Sequence, residues 1–214
     1  MRLYIIRHGE TLWNTEGRLQ GRADVALNEN GIRLGKITGE GLKDVPFDLA
    51  FTSPLARAKE TAKLVLGERK IPLVEDERLI EVCFGGWEGL CCRKDNYQSP
   101  SPEFPKFFSD AFHYTPPERG ESIEQVIQRT GDFYRELINT PEYEEKTILI
   151  AAHGCSTRAL LYSIFGGEDF WRGTVPPNCA VSIVDVKNKK STLTALDKIY
   201  YSKEELVDFY TPEK

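Results

Sequence analysis

The sequence predicts an α/β fold, with helices layered over both faces of a largely parallel sheet. Short β-rich apolar runs such as Leu3-Tyr4-Ile5-Ile6 and "TILIAA" break off at a glycine or at Ser-Pro. Segments with helical apolar spacing follow them. Helix-start signals fall between the two kinds of segment, as alternating strand and helix units require.

The first run, "LYIIRHG", reads as a buried strand delivering Arg7, His8 and Gly9 at its end. "LNENGIRLGKITGEGL" offers Asn28 as N-cap and apolar Ile32, Leu34, Ile37 and Leu42, although its glycines are poor helix formers. In "FDLAFTSP", Phe47, Leu49 and Phe51 alternate as in a strand. Ser53-Pro54 then reads as N-cap and first helical position of a helix running to about Leu66 before Gly67. "TPPERGESIEQVIQR" carries a capping box, Ser122 to Gln125, and Ile123, Val126, Ile127, Phe133, Leu137 and Ile138 recur at helical spacing. "TILIAAHG" is a second buried strand, followed by a helix from about Ser156 to Gly166-Gly167. "AVSIVDV" and "STLTALDKI", separated by Asn188-Lys189-Lys190, read as a terminal hairpin.

Between about residues 91 and 119 this regularity lapses. Prolines (Pro100, Pro102, Pro105, Pro116, Pro117) and aromatics (Tyr97, Phe104, Phe107, Phe108, Phe112, Tyr114) crowd a stretch that reads as an inserted cap with some helix. The expected organisation is one domain over 1–214 carrying this small insertion.

With 214 residues, 40% of them hydrophobic, the chain can bury one substantial core. A net charge of −5 provides no basic footprint for nucleic acid and no polybasic membrane patch. No run approaches the ~20 apolar residues of a membrane span, and Met1-Arg2 leads directly into a strand, so the expected location is the cytoplasm. Five scattered cysteines (Cys83, Cys91, Cys92, Cys155, Cys179) fit free thiols in a reducing compartment. A zinc site from Cys83, Cys91, Cys92 and His113 lacks the usual ligand spacing, and no metal is expected.

Three strand ends carry related cargo. Arg7 and His8 follow the first strand, Arg57 lies early in the helix after the second, and His153 follows "ILIAA". Ligands of open α/β sheets bind beyond the carboxyl ends of the strands, so parallel neighbouring strands would bring these groups together. Two guanidiniums and two imidazoles in one place call for an anion. The arginine fork matches phosphate oxygens, and the helix start after Ser53 would add N–H groups and a positive dipole end. A histidine beside such a clamp suits phosphoryl transfer, being neutral near pH 7 and nucleophilic. The acid for the leaving oxygen is sought in "RLIEVCFGGWEG", which offers Glu81 and Glu88.

"RHGET" with Asn14, "GRLQG", "SPLARAKET", "LIEVCFGGWEG", "RGES" and "AAHG" occur in this order. The ordered set resembles the histidine phosphatase superfamily, the phosphoglycerate mutase-like group, from Arg2 to the terminal hairpin. The resemblance implies a three-layer α/β/α sandwich with a mostly parallel mixed sheet. It implies that His8 becomes phosphorylated, that Arg7, Arg57 and His153 bind the phosphoryl oxygens, and that Glu81 donates the proton. Asn14 would contact phosphate, Gln20 and Gly21 would line the pocket, and Gly154 follows the second histidine as the family pattern expects. No cofactor is implied, and the partner is a small phosphomonoester. Where many relatives have a His or Trp and then an Asp, this chain has Arg22-Ala23-Asp24, and Arg22 is an extra cation expected near the pocket mouth. Trp87 and Trp171 read as packing residues, and Cys155 as a small filler beside the site.

Among activities, the reading favours a metal-independent phosphatase of small metabolites. Mutases of the family carry "ERHYG"-like text and a cation-rich insert. Here the counterparts are "EVCFGGWEG" and an insert with Arg93, Lys94, Lys106 and Arg119. A phosphoglycerate mutase is the alternative, and a silent phosphate-binding module the second alternative.

Overall fold

Alternation along the buried strands decides which face of the sheet each side chain covers. The structure, a computed structural model, describes residues 1–93, 96–98 and 101–206; Lys94 and Pro100 of the expected insertion lie outside them. Among the described residues the strands are β1 (Arg2–Arg7), β2 (Leu49–Thr52), β3 (Leu73–Glu75), β4 (Thr147–Ala152), β5 (Val181–Lys187) and β6 (Lys190–Lys198). They form one sheet in the order β3-β2-β4-β1-β5-β6. β3, β2, β4 and β1 run parallel, and β5 and β6 add an antiparallel edge. The sheet is mixed and mostly parallel, as expected.

The helices are α1 (Leu12–Thr15), α2 (Glu29–Gly41), α3 (Ala56–Leu66), α4 (Lys106–Ser109), α5 (Ile123–Asn139) and α6 (Gly154–Phe165). Leu3, Ile5, Ile148 and Ile150 turn to one face and pack under Phe133 and Leu137 of α5 and Leu160 and Leu161 of α6. Their neighbours Tyr4, Ile6, Leu149 and Ala151 turn to the other, under Leu34 of α2 and Ala62, Val65 and Leu66 of α3. Each such aliphatic side chain contributes roughly 1.5–3 kcal/mol of burial. Two faces buried on period-two strands give three layers.

The glycines that weaken α2 by propensity have a packing reason. A Cβ on Gly31 would lie 2.1 Å from the Glu10 carbonyl oxygen, and one on Gly39 would lie 2.7 Å from that of Leu64. Small residues therefore let α2 close on α3 and on the loop that follows β1.

Several boundaries differ from expectation. α3 begins at Ala56 with Leu55 as its cap residue, because the Ser53 hydroxyl is drawn to His153 instead. α6 begins at Gly154, two residues early, with the Ser156 hydroxyl accepting the His153 N–H at 3.1 Å. The three-residue strand β3 has too little sequence to announce itself. Asn188 and Lys189 alone make the hairpin turn, with φ of 52° and 59° as a two-residue primed turn demands, and Lys190 joins β6.

A third apolar cluster lies off the sheet. Phe104, Phe107, Ala111 and Tyr114 from the 101–114 segment pack with Phe84, Trp171 and the α5 residues Ile123 and Val126.

Candidate active site

Register explains why distant residues meet. Arg7 lies beside Ala152 across β1 and β4, and Thr52 lies beside Ala151 across β2 and β4. The chain therefore leaves three neighbouring parallel strands at one edge, carrying Arg7-His8, Ser53 and His153. They back a cavity of about 320 Å³ lined by Arg7, His8, Asn14, Gln20, Gly21, Arg57, Glu81 and Gly154, with an aromatic wall on its outer side.

His8 is 2% exposed and fixed from several sides. Its N–H donates to Ala152 O at 3.0 Å, and its carbonyl accepts from Asn178 Nδ2 at 3.0 Å. Nδ1 lies 2.7 Å from the Gly9 carbonyl. A carbonyl can only accept, so Nδ1 carries the proton and Nε2 keeps its lone pair, unpartnered among the described residues. Burial, and next the Arg57 and Arg7 charges, hold the imidazole well below its usual pKa. The ring is held neutral with one nitrogen available.

His153 is the opposite tautomer. The guanidinium of Arg57 can only donate, and its Nε points to His153 Nδ1 at 3.1 Å. Nε2–H then donates to Ser53 Oγ at 2.7 Å. Burial, then Arg57 and His8, push this imidazole down as well. The two rings stand 5.2 Å apart. His153, expected to contact the phosphoryl oxygens, is fully buried and is not among the residues lining the cavity; Arg57 and Ser53 hold its two ring nitrogens.

Arg57 is fully buried. Besides His153 it binds Gly21 O and Ala23 O, each at 2.7 Å, which aligns its fork and holds the Gly21 loop. Burial lowers its pKa to about 10, opposed by Glu81. Arg7 spends one terminal nitrogen on Pro176 O, while its buried Nε has no partner. An orphaned guanidinium N–H at the wall of a cavity asks for an anionic acceptor.

Glu81 is the carboxylate that lines the cavity. It accepts backbone N–H groups from Val82 at 2.9 Å, Ser156 at 3.0 Å and Cys155 at 3.1 Å. Two of these belong to the first turn of α6, whose positive end suits a carboxylate. Glu88, the rival candidate, accepts from Arg22 N at 2.9 Å and Phe84 N at 3.2 Å and pins the loop outside the cavity. Asn14 uses Oδ1 on Thr11 N at 3.1 Å, and Gln20 uses Oε1 on Thr11 Oγ1 at 3.0 Å. Each keeps a terminal NH₂ for the cavity it lines.

Other expectations need correcting. At the start of α3 the first N–H is not open to a ligand, since Asp24 Oδ1 caps Ala56 N at 2.8 Å. Arg22 faces Glu121 at 3.3 Å and does not line the cavity. Trp171 does line it, as well as packing. Among the described residues no three His, Cys, Asp or Glu side chains approach closely enough to hold a metal ion.

Sequence reasoning missed the supports. Asn178 steadies the His8 carbonyl. Arg158, fully buried, binds Thr174 O at 2.7 Å and Asp197 and so anchors the loop that receives Arg7. A polar residue inside "PPNCA" and an arginine inside an apolar helix were the only available signals.

Comparison with known proteins agrees with this geometry. The profile of the histidine phosphatase superfamily (branch 1) matches residues 3–198. The Bacillus subtilis protein described as uncharacterized phosphatase PhoE is 31% identical over 87% of this chain and 89% of its own. Phosphoglycerate mutase of Schizosaccharomyces pombe is 35% identical over 77% and 79%. The solved structure of Bacillus stearothermophilus YhfR superposes with a TM-score of 0.84 at 32% identity, covering 92% of this chain and 97% of that one. Among the described residues no helix is long and apolar enough to cross a membrane.

Proposed function

The chain belongs to the histidine phosphatase superfamily, and on that premise we propose that it hydrolyses small phosphomonoesters through a phosphohistidine at His8. The observation that carries this reading is the His8 tautomer. Its proton is committed to Gly9 O and its free Nε2 shares a cavity with Glu81 and the unpartnered Nε of Arg7.

In the first half-reaction the Nε2 lone pair attacks phosphorus and the P–O bond to the alcohol breaks. Arg7 and Arg57 hold the equatorial oxygens, where charge stabilisation counts most. Asn14 and Gln20 donate to the same group. Glu81 gives its proton to the departing oxygen. His153 does not touch the ester; it positions Arg57. In the second half water attacks phosphorus, Glu81 takes a proton from it, and the P–N bond returns its electrons to Nε2. The guanidiniums supply the positive charge, so no metal is needed.

The relatives named as mutases support a second reading, phosphoryl transfer within phosphoglycerate. That reaction requires a clamp for the substrate carboxylate. Arg18, the cation lining the cavity beyond Arg7 and Arg57, is tied to Glu16.

Purified protein should hydrolyse phenyl phosphate in the presence of chelator, and acid quench should trap acid-labile, base-stable phosphate on the protein. His8→Ala should lose at least about 10⁴-fold in kcat. Undiminished hydrolysis by His8→Ala sinks the mechanism. Interconversion of phosphoglycerates with 2,3-bisphosphoglycerate that outpaces hydrolysis replaces the hydrolase with the mutase.

A further inference from the structure

The outer part of the cavity has a different chemistry from its back. Trp13, Leu19, Phe84, Phe107, Phe108 and Trp171 line it. Trp13 and Phe108 are only half-buried. Phe108 lies nearly parallel to Trp171, with centroids 5.8 Å apart and planes at 27°. Trp171 Nε1–H is already given to Phe107 O at 2.7 Å.

Among the described residues, the cation lining the cavity besides Arg7 and Arg57 is Arg18, and it is already paired. Arg7 and Arg57 belong to the phosphoryl cage. Arg18 donates to the Glu16 carboxylate and to Gly89 O at 2.9 Å. Lys106 of the insertion pairs with Glu103, and neither Lys106 nor Arg119 lines the cavity. A second anionic group on the substrate would lose its water against aromatic faces, facing an Arg18 whose charge is already matched by Glu16. An apolar ring would instead gain burial and edge or face contacts. At about 320 Å³ the cavity sits at the small end of the roughly 300–1,000 Å³ range of small-molecule sites, which limits the alcohol to a compact one.

We infer that this site, given the phosphomonoesterase reading above, takes monoesters of compact, uncharged, ring-bearing alcohols and turns away monoesters that carry a second anion.

The test compares 1-naphthyl phosphate, phenyl phosphate, 3-phosphoglycerate and phosphoserine by kcat/KM on the wild type and by Kd on His8→Ala. The naphthyl ester should exceed the phenyl ester by about tenfold, and both should exceed the carboxylate-bearing esters by about a hundredfold. Phe108→Ala should erase the naphthyl preference while inhibition by inorganic phosphate stays within about twofold. Phe108→Arg, at the same half-exposed position, should narrow the gap to 3-phosphoglycerate at least about tenfold. If 3-phosphoglycerate or phosphoserine matches 1-naphthyl phosphate, the substrate class is overturned and the hydrolase stands. If the wild type hydrolyses none of the four, the hydrolase falls, and the order of Kd values on His8→Ala still decides the class.

Discussion

At the back of the cavity directional hydrogen bonds set the orientation of each central side chain. His8 is fixed through Gly9, Arg57 through Gly21 and Ala23, and Glu81 through the first turn of α6. At the mouth rings rest on rings. Phe104 meets Phe84, Trp87, Phe107, Phe108 and Tyr114 at centroid separations between 5.7 and 6.3 Å, mostly edge to face. Hydrogen bonds demand one geometry, whereas apolar packing accepts many of similar volume. The back is therefore suited to a reaction that fails if an atom shifts by an ångström. The mouth is suited to choosing what is attached to the phosphoryl group, and can change without disturbing that reaction.

Glu81→Gln separates the two regions most sharply. The amide oxygen can still accept from Val82 N and Ser156 N, and only the bond from Cys155 N is lost, so the fold should survive while the side chain can no longer shuttle a proton. kcat should fall by about 10²–10⁴ with melting temperature lowered by only about 2–4 °C. A reduction below about tenfold would remove Glu81 from the chemistry.

Phe104→Ala is the converse. The ring is 1% exposed, and its removal should cost about 3–5 kcal/mol in denaturant unfolding. Turnover of phenyl phosphate should fall less than about tenfold at temperatures where the variant is folded. A catalytic loss equal to that of Glu81→Gln would show that the mouth and the back are one mechanical unit.

How much of this was legible in the sequence follows the same division. The strand-end residues Arg7, His8 and His153 could be read because contiguous apolar runs announce β1 and β4, and parallel pairing then makes their ends meet. The supports could not, since they are long-range choices among equivalent polar residues. Arg57 and His153 are 96 residues apart, and Asn178 and His8 are 170 apart. Ser53-Pro54 shows the conflict directly: local propensity favours a helix cap, yet the buried His153 Nε2–H takes the hydroxyl and Asp24 supplies the cap instead. The aromatic insertion was visible as composition, but which rings would line the cavity depended on packing that composition does not encode.

Ser53→Ala should have a smaller effect, confined to the back. Loss of the acceptor leaves His153 Nε2–H buried without a partner and frees the ring to turn away from Arg57. kcat should fall roughly tenfold while the Phe108-dependent substrate preference stays unchanged. Imidazole ¹⁵N spectra should show His8 as the Nδ1–H tautomer and His153 as the Nε2–H tautomer in the wild type, with His153 alone perturbed in the variant. Identical tautomers in the wild type would contradict the division of roles between the two rings.

The smallest effect is on pH dependence, and it again belongs to the back. Both His8 and His153 are held well below the ordinary histidine pKa by burial and by neighbouring guanidiniums. In the unfolded chain each titrates near ~6.5. As pH drops below that value the unfolded state takes up protons that the folded state refuses, so stability is fully present above about 6.5 and declines toward the depressed folded values. Between pH 7.5 and 5.5 this amounts to about 1.4 kcal/mol for each imidazole and about 2.7 for the pair. The carboxylates lowered in the fold, Asp48, Asp76 and Asp185, change protonation only at lower pH and leave this window to the histidines. Urea unfolding at the two pH values should show the full decline in the wild type and in Phe108→Ala. In His8→Asn, whose amide can still donate to Gly9 O, about half of it should remain. A flat profile in the wild type would mean that the two rings bind protons in the fold as readily as in the unfolded chain, so that His8 would lose the lone pair it needs to reach phosphorus as pH falls below about 6.5.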